Sequence, residues 1–321
     1  MPRKLILDVD TGTDDAVAIM LAALHPDLDL LAVTTVNGNV EIGYCTDNSL
    51  RTLDFIGRGD IPVYEGCPKP ILRADFPIPR AVKKDGGMHV NALPVPEPTS
   101  RKADKNAVEF LIETFRAATE EIVLVPVGPL TNIAAAITAD PHFARNVPEL
   151  VIMGGAHYTG NVTPSSEFNI WADPEAAAIV FEAPFARRVL VPLDATFQAL
   201  VSGADCGALE ALGTNAGIAA SRFISQRIKG YDSTQPMKTL GAAPVHDAVC
   251  VAYLVEPEII ETRHIHVAIE TAGIHTVGRT VFDVNKRGES APNTHVAFGA
   301  NGPRFIALLG EIFGRTTSAG A

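Results

Sequence analysis

The 321 residues, 47% hydrophobic and 20% charged, suffice for a sizeable buried core and exclude a disordered or fibrous chain. Asp and Glu number 37 against 26 Lys and Arg, and a formal net charge of -11 argues against nucleic acid or an anionic membrane surface as a partner. No apolar run approaches the ~20 residues of a membrane span, the start MPRKLILDVD is no signal peptide, and the scattered Cys45, Cys67, Cys206 and Cys250 read as reduced thiols of a cytoplasmic protein.

Residues 5–9 (LILDV) read as a first strand, followed by an amphipathic helix over 14–24. A strand over 30–36 (LLAVTTV) leads to a helix over 40–56. Residues 66–100 carry Pro68, Pro70, Pro77, Pro79, Pro94, Pro96 and Pro98 and read as a long loop, a kind of segment that is usually functional. Then come a helix over 105–119 and strands over 122–127 (IVLVPV) and 150–154 (LVIMG). Asp173-Pro174-Glu175 starts a helix over 173–182, a capping Asp ahead of Pro at the first helical position. Residues 188–193 (RVLVPL) form a fifth strand, residues 222–244 read as a polar, Gly-interrupted segment, and residues 316–321 as a frayed end. Nearly continuous apolar strands are those of a parallel sheet covered on both faces. The alternation predicts an α/β fold: an open, mostly parallel sheet flanked by helices, with a Rossmann-like core, in a single domain over residues 1–321.

The turn after the first strand, DVDTGTDDAVAI, gathers Asp8, Asp10, Asp14 and Asp15. In open α/β sheets ligands bind beyond the carboxyl ends of the strands, where this turn lies. Asp14 and Asp15 taken singly fit a charged first helical turn capped by Thr13. Four carboxylates in eight residues repel one another unless a cation or protons compensate them. Oxygen donors without a local Cys or His favour Ca²⁺ or Mg²⁺ over zinc. An EF-hand is excluded, because Thr13 and Ile19 stand where its Gly and Glu belong. A phosphatase of the haloacid dehalogenase type, with Asp8 as nucleophile, fits D-x-D in part, but Gly12 replaces the expected Thr or Val and Asp14 and Asp15 are left without a role.

Together with VNGN (36–39), VGPLTNIA (127–134), MGGA (153–156), EFNIWADPEAA (167–177) and PVHDAVCVAYL (244–254), this turn resembles the inosine–uridine-preferring nucleoside hydrolases over nearly the whole chain. The resemblance implies a Ca²⁺ held by Asp10, Asp15, Asp247 and the backbone carbonyl of Val127. It implies ribose hydroxyls held by Asp14, Asn39, Asn161, Glu167 and Asn169, with Met153 against the sugar. His89 would lie near the base or sugar, although the two glycines that often follow this histidine in relatives are missing. Other readings stand beside these: Asn39 fits a cap for a helix starting near Val40, Glu167 and Asn169 fit solvated loop positions, Met153 fits ordinary core, and His246 fits a helix cap. His264 and His266, on one face of a strand, and His275 read as structural.

The residue types suit the chemistry. Carboxylates accept hydrogen bonds from hydroxyls, and Asn amides both donate and accept. Cleavage of a ribosyl N–C bond develops an oxocarbenium charge that nearby carboxylates stabilise. The activity implied is hydrolysis of a ribonucleoside to ribose and free base, with Asp10 taking a proton from the attacking water. His246, titrating near neutral pH, would protonate the leaving base. Histidines at 89 and 246 resemble the pyrimidine-preferring or non-specific branches, and Arg222, Gln226, Arg227 and Tyr231 could contact the base. The implied partner is a small nucleoside substrate, in a homo-oligomeric enzyme of nucleoside salvage with no nucleic-acid or membrane partner. The alternatives are the phosphatase and a non-catalytic nucleoside-binding protein.

Overall fold

The computed structural model describes residues 2–73 and 88–315. The expectations for Pro77, Pro79 and residues 316–321 lie outside the described residues. In chain order the first half runs β1 (Arg3–Val9), α1 (Thr13–Leu24), β2 (Leu28–Thr35), α2 (Ile42–Phe55), β3 (Val63–Glu65), α3 (Ala107–Ala117), β4 (Ile122–Pro126), α4 (Thr131–Ala139), α5 (Phe143–Asn146) and β5 (Glu149–Met153). It continues with α6 (Phe168–Ala172), α7 (Pro174–Glu182), β6 (Arg188–Val191), α8 (Leu193–Thr196), β7 (Leu200–Ser202), α9 (Gly203–Glu210) and α10 (Asn215–Thr234). The last elements are β8 (Ala242–Pro244), α11 (His246–Val255), β9 (Ile260–Ile265), β10 (Val267–Ile269), β11 (Thr280–Phe282), β12 (Thr294–Ala300) and α12 (Gly302–Phe313).

Eight strands form one sheet in the order β3-β2-β1-β4-β5-β6-β12-β9. Every neighbouring pair is parallel except the edge pair β12–β9. Alternate residues of the central strands enter opposite cores. Leu5, Leu7 and Val9 of β1 and Val123 and Val125 of β4 pack in one, while Ile6 of β1 and Leu124 of β4 pack in the other. That two-sided burial is why these strands read as unbroken apolar runs. The single-domain α/β architecture agrees with the sequence expectation.

Several local expectations are corrected. Helix α1 is buried around almost its whole circumference, Thr13 to Ala23, because α2, α10, α11 and α12 all pack on it; it is a central helix, not an amphipathic one. Its N-cap is Gly12, with the Asp15 carboxylate accepting the Gly12 N–H, so Thr13 is already helical. Helix α2 begins at Ile42 after a Glu41 cap, which removes the capping role for Asn39. The part of segment 222–244 up to Thr234 is the second half of α10, not irregular chain. His264 stacks on its cross-strand partner His295 with ring centroids 4.3 Å apart. His266 falls between β9 and β10 and does not share a strand with it. None of the described helices is long and apolar enough to cross a membrane.

Candidate active site

The order β3-β2-β1-β4-β5-β6 reverses direction between β1 and β4. Helix α1, after β1, packs in one core and α4, after β4, in the other, so the two chains diverge and leave a crevice beyond Val9 and Pro126. The carboxylates of the Asp-rich turn meet in this crevice.

Asp10, Asp14, Asp15 and Asp247 are all buried. Asp15 is fixed by the backbone N–H groups of Asp10 (3.1 Å) and Gly12 (2.9 Å), the outcome of the tight turn and the first turn of α1. Asp10 accepts from the Asn39 N–H at 2.7 Å, and the Asn39 amide reaches Asp15 at 3.1 Å. This approach requires glycine at 38, where a Cβ would lie 2.0 Å from the Asp10 carboxylate. Asp247 enters from the first turn of α11, which packs on α1.

Carboxylate oxygens of Asp14, Asp15 and Asp247 lie within 4.8 Å of one another, a grouping that suits a metal ion. Asp15 and Asp247 belong to the ligand set the resemblance implies; Asp14, expected on ribose, is the third member of this group in place of Asp10. The Val127 carbonyl accepts the Asn169 amide at 2.6 Å. Burial, then the neighbouring carboxylates, pushes Asp10 and Asp247 well above the usual carboxylate range, and Asp15 to about 6. Burial is the largest influence on Asp14 and opposes its ionisation, but the Arg227 guanidinium, the imidazoles of His89 and His246 and a backbone N–H together outweigh it and hold Asp14 low. The cluster is therefore short of positive charge, and its hard oxygen donors fit Ca²⁺ or Mg²⁺.

A second wall is built from the ends of β4 and β5 and the start of α6. Glu167 caps α6, accepting the N–H groups of Asn169 (2.9 Å) and Ile170 (3.3 Å), and also that of Gly155 (2.9 Å). It is buried, not a solvated loop residue, and burial pushes it to about 7 despite those bonds. The Asn169 amide spans the carbonyls of Val127 and Met153. Asn161 accepts the Phe168 N–H at 2.9 Å, which ties its loop to the same wall. The structure thus brings Met153, Asn161, Glu167 and Asn169 together.

The third wall comes from α10, the N-terminus of α11 and residues 88–89. His246 Nε2 lies 2.8 Å from the Tyr231 hydroxyl and Nδ1 lies 2.6 Å from Thr196 Oγ1. Burial pushes His246 down to about 3 and His89 to about 4. The expected near-neutral titration of His246 is corrected, because a buried imidazole facing two hydroxyls and a nearby guanidinium stays uncharged. The His89 ring lies against Gly12, with Nε2 3.5 Å from Arg227. Arg227 is itself buried, bonded to Asp14 at 2.7 Å and to the Pro244 carbonyl at 2.5 Å, with its guanidinium over the Tyr231 ring. Arg222 lies on the exposed side, 3.3 Å from the Pro94 carbonyl.

Asp8 is not an exposed nucleophile. It is fully buried and held by Thr34 (2.5 Å) and Asn132 (2.7 Å), and burial raises it to about 7, which corrects the phosphatase alternative.

The family model of inosine–uridine-preferring nucleoside hydrolases matches residues 5–307. The chain belongs to this family. Over 311 residues it is 39% identical to the pyrimidine-specific ribonucleoside hydrolase RihB of Escherichia coli O157:H7 (strain EC4115 / EHEC), covering 96% of each chain. Its fold is similar to the solved purine-preferring ribonucleoside hydrolase from Gardnerella vaginalis, with a TM-score of 0.88 and 32% identity over 97% of this chain and 98% of that one. It is likewise similar to the plant nucleoside hydrolase PpNRh1, with a TM-score of 0.87 and 32% identity over 98% and 100% of the two chains. This nucleoside hydrolase is thus an enzyme, a nucleosidase, and ribonucleoside hydrolysis is its reaction.

One site residue of the hydrolase had no signature in the sequence, and two named there as possible base contacts could not be placed by spacing alone. Thr196, in the short α8, had no motif around it. Arg227 and Tyr231 are four apart on α10, a spacing that places both on one helix face once the segment is known to be helical.

Proposed function

We propose that this nucleoside hydrolase is Ca²⁺-dependent and prefers pyrimidine ribonucleosides, which it splits to ribose and free base in nucleoside salvage. The observation that carries the reading is the buried, charge-deficient carboxylate cluster at the β1–β4 crevice, walled by Asn39, Glu167 and Asn169. Asp15 and Asp247 would hold the cation, with Asp10 and the Val127 carbonyl completing the set and Asp14 serving ribose hydroxyls. When bound, a divalent cation polarises water and vicinal hydroxyls as a Lewis acid.

Asp10 takes the proton of the attacking water, and its burial makes it a stronger acceptor than an ordinary carboxylate. Attack opposite the base inverts the anomeric centre. The carboxylates stabilise the oxocarbenium charge that develops on the sugar. Asn39, Asn161, Glu167 and Asn169 bind hydroxyls, and Met153 packs on the ring. Since His246 is uncharged, the leaving base takes a proton that enters from solvent water and passes through His246, held between the Thr196 and Tyr231 hydroxyls, so that no side chain is left ionised; the hydroxide left behind is neutralised by the proton Asp10 took from the attacking water. His89 flanks the base.

The pyrimidine preference is supported by the 39% identity to the pyrimidine-specific relative and by the histidines at 89 and 246. In this reading the enzyme is a cytoplasmic homo-oligomer. The test is a panel of purine and pyrimidine ribonucleosides assayed for released reducing sugar, with chelator and with Ca²⁺ restored. Turnover of uridine and cytidine ahead of inosine, lost on chelation and regained with Ca²⁺, is expected. Full activity in verified metal-free protein would refute the metal requirement, and faster inosine turnover the base preference.

A further inference from the structure

The antiparallel hairpin β10–β11 lies outside the main sheet and contributes nothing to the carboxylate cluster. It nevertheless grips the segment that carries Glu167 at both ends. At one end the Thr280 hydroxyl accepts the Ala156 N–H and donates to the Ala156 carbonyl, both at 2.9 Å. One side chain thus fixes both polar groups of a single residue. At the other end the Ser166 hydroxyl donates to the Val277 carbonyl at 2.6 Å, and Gly278 packs on the Trp171 backbone.

Between the end of β5 and Ala156 lie Gly154 and Gly155, and Gly155 has φ +75°, a left-handed conformation that L side chains resist. A Cβ there would lie 2.6 Å from Thr280. Its carbonyl accepts the Leu193 N–H at 3.0 Å, and its own N–H points at Glu167 at 2.9 Å. Thr280 is buried, and both hydrogen bonds of its hydroxyl go to the backbone of Ala156.

We propose that Thr280 is a positioning residue for Glu167: its hydroxyl locks Gly155–Ala156 in the conformation that aims the Gly155 N–H at the carboxylate and so fixes the ribose-facing wall. The inference rests on the reading of Glu167 as a ribose ligand. Thr280 does not meet the substrate; it acts through one backbone amide. Its contribution therefore falls on ribose affinity and leaves the proton transfers of Asp10 and His246 untouched.

The experiment compares Thr280→Ala with Thr280→Ser, which differ only by the hydroxyl, using the competitive Ki of free ribose together with KM and kcat for uridine. Loss of hydrogen bonds of this kind corresponds to about a 3- to 10-fold change. Thr280→Ala is expected to raise Ki and KM by that factor with a smaller change in kcat, and Thr280→Ser to stay near wild type. Should Thr280→Ala fail to fold, Thr280→Val keeps the volume, removes the hydroxyl and carries the same expectation. The Thr280→Ala effect is expected to vanish in a Glu167→Ala background, a coupling that a merely structural role would not produce. Equal behaviour of the Ala and Ser variants, or an undiminished effect in the Glu167→Ala background, overturns the inference while leaving Glu167 on ribose. An unchanged ribose Ki in Glu167→Ala alone overturns the ribose reading and the inference with it.

Discussion

Arg227→Met removes the guanidinium that sits on Asp14 while preserving much of the side chain's length. In the ion pair Nη1 and Oδ1 are 2.7 Å apart, and the two side chains are only 3% and 5% exposed. Water cannot take over the role of the lost partner, so little screening discount applies. Removing one member of such a pair leaves a buried uncompensated charge and costs about 3–5 kcal/mol. That is a large part of a total stability of ~5–15 kcal/mol. The assay is urea unfolding in chelator for wild type, Arg227→Met, Asp14→Asn and the double variant. Each single variant is expected to lose stability on that scale, and the double variant about 1.5 kcal/mol or more less than the two losses added. Additive losses, or an Arg227→Met loss under about 1 kcal/mol, would refute the coupling of the pair.

Three further outcomes follow from the same geometry. The folded-state pKa values of Asp10 and Asp247 are raised, so the native metal-free chain holds protons the unfolded chain has released; the stability is present below about pH 4 and is lost as pH rises. Above about pH 6.5 the histidines no longer oppose this trend, so in chelator the urea midpoint should fall from pH 6.5 to 8 and Ca²⁺ should remove most of the fall; a midpoint that rises in chelator contradicts it. Asp10→Asn should lower kcat by about 10² or more, the scale of a lost general base, and near-normal turnover in the Ca²⁺-loaded variant would remove Asp10 from that role. His246→Ala should slow uridine by ~10² to 10⁴-fold more than p-nitrophenyl riboside, whose leaving group needs no proton; equal losses on the two substrates would assign His246 to positioning alone.

The sequence was most readable where burial is symmetrical. The strands β1, β2, β4, β5 and β6 carry apolar residues on both faces, so each left a continuous run. The edge strand β9 has exposed residues from Glu261 to His264, and β3 is only three residues long, so neither left such a run. Helix α10 was harder still. Its buried face carries Arg227 and Tyr231, bonded inside to Asp14 and His246, and polar residues on a buried face blur the helical period. The acidic turn announced a cation site because like charges so close need compensation. The partner that holds Asp14, Arg227, lies far away in the chain and had no local signature. The lowered pKa of His246 depends on its burial and then on Arg227, which no neighbouring residue in the sequence reveals.

Helix α1 has a consequence for synthesis. It is made well before α10, α11 and α12, which pack on it. Until they dock, the growing chain carries an apolar helix, with an acidic turn at its head, that is covered only by β2 and α2. Such a chain stays sticky and open to proteases for most of its synthesis, and a holding chaperone would meet it at α1. Arrival of α11 brings Asp247 against Asp14 and Asp15 as it seals the apolar face. Completion of the three-carboxylate group therefore coincides with closure of the chain, and a truncated product lacking α11 would leave Asp14 and Asp15 without Asp247 and one side of α1 uncovered.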